Sequence, residues 1–154
     1  MVKTMKKFGI FLIAIALAML VSCASASMDL FDAKKIDMGG YIVTIPDIQA
    51  PTVGVKTVYG TITQGETDWV STDISGYYTQ LCVRLNWGDS SDSLRLRIYS
   101  PDYHVFGPYY DTSGGGDDDG YIPVNINNSE GIAEGTWWYE VYGDDVTGTQ
   151  SYSI

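Results

Sequence analysis

From Val55 to the C-terminus, apolar and polar residues alternate with period two, the spacing of a pleated strand with one buried and one solvated face. Leu81, Val83 and Leu85 share one face, with Cys82, Arg84 and Asn86 opposite. Leu94, Leu96 and Ile98 point inward, and Arg95 and Arg97 are predicted to face water. Ile122, Val124 and Ile126 form another inward row, and Trp137, Tyr139 and Val141 oppose Trp138, Glu140 and Tyr142. Val58, Gly60 and Ile62 share a face of an earlier strand. Asp68–Ser71, Val105–Tyr109 and Ser151–Ile154 complete the set, and Tyr41–Ile45 reads as a possible first strand. Turns fall at Gln64–Thr67, Gly88–Asp92, Ser100-Pro101-Asp102 and Ser113–Gly120, where Gly, Pro, Asp and Ser supply turn geometry. No window carries a 3.6-residue apolar period. Seven or eight short strands with this spacing predict an all-β fold, an antiparallel β-sandwich or barrel. A parallel sheet is disfavoured, because its buried strands would be apolar throughout.

The N-terminal stretch has a different pattern. Lys3, Lys6 and Lys7 precede Phe8–Val21, 14 residues that are apolar apart from one Gly. That is short of the about 20 residues a membrane-spanning helix needs, and it suits a signal peptide. Ala24-Ser25-Ala26 fits cleavage before Ser27, whereas Leu20-Val21-Ser22-Cys23 resembles a lipobox that would leave Cys23 lipidated. The expected organisation is a signal peptide over 1–26, a linker with a possible first strand over 27–54, and a β domain over 55–154. The expected location is secreted or on the cell surface.

Charge narrows the partners. Of 9 basic residues three lie in the signal, and all 19 acidic residues lie beyond it, so the processed chain carries 6 − 19 = −13. Such a chain repels nucleic acid and anionic lipid, leaving lipidated Cys23 as the one expected route to a membrane. Catalysis has little to work with. Cys82 and His104 are the only Cys and His left after processing, and no third group is placed to orient them. Cys82 reads as a packed small hydrophobe and His104 as a solvated turn residue. The chain is therefore expected not to be an enzyme.

Several segments, in order, resemble the pre-peptidase C-terminal domain family. They are Gln64-Gly65-Glu66-Thr67-Asp68-Trp69, the run Leu81 to Leu94, Leu96-Arg97-Ile98-Tyr99-Ser100-Pro101, Gly135 to Gly143, and Thr147 to Tyr152. The wording from Tyr99 through Tyr110 resembles copies in surface proteins of methanogenic archaea. The resemblance implies a jelly-roll-like sandwich and an accessory module of secreted peptidases that binds substrate or aids export. Some members bind calcium. Where the family often carries Asp-x-Asp-Leu, this chain has Ser93-Leu94-Arg95-Leu96-Arg97.

Oxygen donors make calcium the one cofactor worth considering. Asp117, Asp118 and Asp119 follow three glycines, and Glu66 and Asp68 share a turn. The alternative is a solvated acidic surface. Among the aromatics, one member of each adjacent pair can be exposed, and Trp138 and Tyr110 are the candidate ligand-binding residues. Asn127-Asn128-Ser129 makes Asn127 a glycosylation candidate. These features point to an exported surface module that binds an extracellular protein or polysaccharide, self-associates, or contributes to the envelope. The alternative role is an accessory substrate-binding or secretion subunit for a separately encoded peptidase or other hydrolase.

Overall fold

The computed structural model describes residues 38–46, 57–113 and 118–154, all within the unit Ile36–Ile154. The expected signal peptide over 1–26, Cys23, most of the linker and Asp117 lie outside the described residues.

The described residues form nine strands and no α-helix: β1 Ile42–Thr44, β2 Tyr59–Thr63, β3 Thr67–Ile74, β4 Gln80–Asn86, β5 Ser93–Tyr99, β6 Val105–Tyr109, β7 Tyr121–Asn127, β8 Gly135–Asp145 and β9 Thr149–Ser153. They make two antiparallel sheets. One has five strands in the order β1-β7-β4-β9-β2, the other four in the order β3-β8-β5-β6. Among these strands only β5 and β6 are both consecutive and hydrogen-bonded neighbours. From β2 onward every other connection crosses between sheets.

The alternation explains the layers. Val83 and Leu85 of β4, Ile122, Val124 and Ile126 of β7, Leu94, Leu96 and Ile98 of β5, and Trp137 and Val141 of β8 are all buried in one apolar cluster. Both sheets therefore turn their apolar faces to a common core, a sandwich-like arrangement. Each such side chain contributes about 1.5–3 kcal/mol by leaving water. Gly60 permits a further cross-sheet tie. A Cβ there would lie 2.5 Å from the ring of its cross-strand partner Tyr152. The ring lies flat over Gly60, and its hydroxyl donates to the Asp68 carboxylate of β3.

Strand β6 is an edge of the four-stranded sheet and is irregular. Its register with β5 shifts between Leu96 and Ile98, opposite Gly107 and Pro108. Gly107 has φ +100°, and a Cβ on it would meet the Leu96 carbonyl at 2.8 Å, so only glycine fits. Pro and a bulge together blunt this edge against pairing with another chain.

Candidate functional site

The solvent-facing side of the four-stranded sheet gathers the large exposed side chains. Register places them in rows across the strands. Ser71, Trp138, Tyr99 and Val105 are successive neighbours, as are Trp69, Glu140 and Arg97, and Thr67, Tyr142 and Arg95. The outward residues of period-two strands form the rows, so the same alternation that fills the core also builds this face.

Glu140 lies under its centre and is only 8% exposed. Its carboxylate accepts from the Tyr99 hydroxyl at 2.5 Å and from Arg95 Nη2 at 3.4 Å, with Arg97 Nη1 at 3.6 Å. Arg95 is itself stacked 4.1 Å over the Tyr142 ring, and the Trp69 and Tyr99 rings are 5.4 Å apart. The two arginines therefore do not point freely into water, as the alternation alone predicts. Each leans toward Glu140 because a buried carboxylate needs paired charge. The hydrogen bond to Glu140 is the main reason the Tyr99 hydroxyl holds its proton above the usual phenol range.

One end of this face opens into a groove of about 380 Å³ lined by Tyr99, Pro101, Tyr103, Val105, Thr136 and Trp138, with Ser100 and His104. The β5–β6 connection shapes it. Pro101 and Asp102 occupy the central positions of a turn closed by the Tyr103 N–H donating to the Ser100 carbonyl at 3.1 Å. The Ser100 hydroxyl accepts from the His104 N–H at 2.9 Å, and the Ser100 N–H donates to the His104 carbonyl at 2.9 Å. The loop then needs a left-handed residue, usually Gly. This chain puts Tyr103 there, at φ 69°. Its ring is 95% exposed. A bulky residue held in that region costs about 1–2 kcal/mol.

The turn is anchored from behind. Tyr41 donates to Asp102 at 3.0 Å and accepts from the Ala133 N–H at 3.2 Å. His104 Nδ1 lies 3.3 Å from Asp102, and its ring packs edge-on to Tyr41 at 5.3 Å. The expectation of a solvated His104 is therefore corrected: ring packing against Tyr41 and Phe106 draws it in. Burial pushes the Asp102 pKa up, but bonds from Ser100, Tyr41 and His104 outweigh it and hold the carboxyl below its ordinary range.

The predicted site residues do not all converge. Trp138 stands in the groove wall and is 45% exposed. Tyr110 follows the far end of β6, half-buried, with its N–H donating to the Ser113 hydroxyl at 2.8 Å. Glu66 accepts from the Thr63 N–H and hydroxyl at 2.9 and 3.0 Å, while Asp68 accepts from Tyr152 and from the Trp69 N–H. Asp118 and Asp119 are exposed, and among the described residues no three acidic, His or Cys side chains gather as a metal cluster. Asp118 instead faces Asp111, which is buried at 5% exposure. Burial, and then Asp118, push Asp111 up to about 6. Asn127 ends β7, its amide nitrogen donating to the Ile42 carbonyl at 3.3 Å and its oxygen accepting from Gln80 at 2.8 Å. Cys82 donates to Gln80 at 3.4 Å on the five-stranded sheet, whereas His104 belongs to the turn of the other.

Sequence reasoning missed Tyr103, Tyr99 and Asp111. The signal for Tyr103 was present: an aromatic directly after Ser-Pro-Asp occupies a position where the turn favours glycine.

No family model matches the chain. A protein of Archaeoglobus fulgidus described as an uncharacterized protein is 40% identical over 53 residues, 34% of this chain and 74% of the relative. The described fold and the exposed groove thus stand beside an archaeal likeness that carries no named activity, and over those 53 residues the chain belongs to the same family as the Archaeoglobus protein.

Proposed function

We propose that this chain is an exported, non-catalytic module, a jelly-roll-like sandwich that binds an extracellular polymer through the outer face of its four-stranded sheet. The observation that carries this reading is the groove itself, with Tyr103 held out at φ 69° beside Trp138. Folding alone gives no reason to tolerate a bulky side chain at a glycine-favouring position while its ring is exposed. Strain of this kind persists where a side chain must be presented. Exposed aromatics offer large, rigid contact area with little loss of rotamer freedom. The −13 charge expected of the processed chain keeps such a face soluble and away from polyanions.

The test is an array of purified polysaccharides and extracellular proteins probed with the native chain and two variants. One variant replaces Tyr103 and Trp138 by Ala, and the other replaces the exposed Tyr59 and Tyr77. Binding is expected to vanish with the first pair and survive the second. A ligand held equally well by all three proteins would place the binding face elsewhere.

A further inference from the structure

We infer that the groove takes a neutral glycan, one sugar ring stacking on Trp138 and Tyr103 while its hydroxyls bond to Asp102 and Asp73. This inference rests on the binding-face reading above and adds the chemistry of the ligand. The groove is within the range of about 300–1,000 Å³ usual for small-molecule sites, and its aromatic walls match the flat C–H faces of a pyranose.

The charges around it decide the rest. Asp102 sits in the turn between two lining residues, Pro101 and Tyr103. At the opposite border Asp73 accepts from the Thr136 hydroxyl at 2.6 Å, and Thr136 lines the groove. A carboxylate has about four acceptor sites, so each retains capacity for sugar hydroxyls. Two carboxylates repel a uronate, sulfate or phosphate group. A cation meets the opposite obstacle, because Arg97 shares the Glu140 carboxylate with Tyr99, a wall of the groove. None of the lining residues is Lys or Arg. Charge of both signs at the rim and none along the walls suits an uncharged, hydroxyl-rich ligand.

The experiment titrates the native chain with neutral hexose oligomers from glucan, mannan and galactan, and with polygalacturonate as the acidic counterpart. Affinity is followed by calorimetry and Trp fluorescence. At least one neutral oligomer is expected to bind and polygalacturonate to fail. Tyr103→Gly and Tyr103→Asn both suit a left-handed residue, so each keeps the turn while removing the ring. Each is expected to lower affinity about tenfold or more with the melting temperature unreduced. Asp102→Asn is expected to weaken the neutral ligand and to relax the exclusion of the acidic one. Trp138-dependent binding of polygalacturonate or of a protein would overturn the neutral-glycan inference and leave the binding face standing. Neutral-glycan binding indifferent to Tyr103 and Trp138 would overturn both.

Discussion

The two outer faces of this molecule obey one rule of alternation but differ in how their large side chains are arranged. On the five-stranded sheet the outward residues across β2 and β9 are Tyr59, Thr61, Thr63, Thr149, Ser151 and Ser153, with Ile42 of β1 also exposed. On the four-stranded sheet it is Trp69, Tyr99, Trp138 and Tyr142 with Arg95, Arg97 and Glu140. The inner faces differ less, since both are built on Ile, Val and Leu, with Tyr152 in one and Phe106, Trp137 and Tyr139 in the other. The contrast is one of clustering: the four-stranded face gathers four aromatics around the paired Glu140, whereas Tyr59 and Ile42 stand apart on the other face among small hydroxyl residues.

The largest expected effect separates structural cost from binding. Replacing Glu140 by Ala strands Arg95 and Arg97 beside each other and removes the partner of the Tyr99 hydroxyl. Breaking a buried pair costs about 3–5 kcal/mol, and solvent at Arg97 moderates it to about 3. Thr61→Ala on the opposite exterior should change stability by less than about 0.5 kcal/mol. Denaturant midpoints for the two variants measure the gap directly, and equal midpoints would dissolve the contrast between the faces.

A second prediction concerns the loop after β6, which belongs to neither face. Asp111 is pushed up to about 6 from an ordinary 3.8. Folding thus favours its protonated form, so its stabilising contribution is complete below about pH 3.8 and is lost as pH rises through about 6. Stability should therefore gain up to about 2 kcal/mol on going from pH 7 to pH 4, the full value being reduced because Asp118 is solvated. Asp111→Asn should remove that component and be more stable than the native chain at pH 7. The measurement is the pH dependence of unfolding free energy for the two proteins. Their difference should grow with pH between 4 and 7, and a constant difference would reject the raised Asp111 pKa.

Much of the fold was legible because period-two burial is a local signal. The rows Leu94–Ile98 and Ile122–Ile126 lie where alternation puts them, and Val105–Tyr109 is a strand with those bounds. What was not legible depends on partners distant in sequence. Glu140 reads as an ordinary solvent-facing residue until register brings Arg95 and Arg97 beside it from 45 and 43 positions away. Glu66 and Asp68 read as free oxygen donors, although Asp68 meets Tyr152 across 84 positions. Trp138 was recognisable as the exposed member of a pair. The groove around it was not, because it needs the β5–β6 turn, Thr136 and Tyr99 together.

The smallest effect is the most telling, because its sign is unusual. Tyr103→Gly removes a side chain from a left-handed position at φ 69°. Glycine adopts that region without steric cost but loses more backbone freedom on folding, so the two terms partly cancel. With strain of about 1–2 kcal/mol against an entropy cost of about 0.5–1, the variant should gain about 0.5–1 kcal/mol. The 95% exposed ring contributes almost no burial to offset this. On the proposed binding reading, a residue that destabilises its own fold and sits at the mouth of a groove serves contact with a ligand. If Tyr103→Gly unfolds more readily than the native protein, the ring supports the turn, and the aromatic face loses its strongest claim to a role beyond folding.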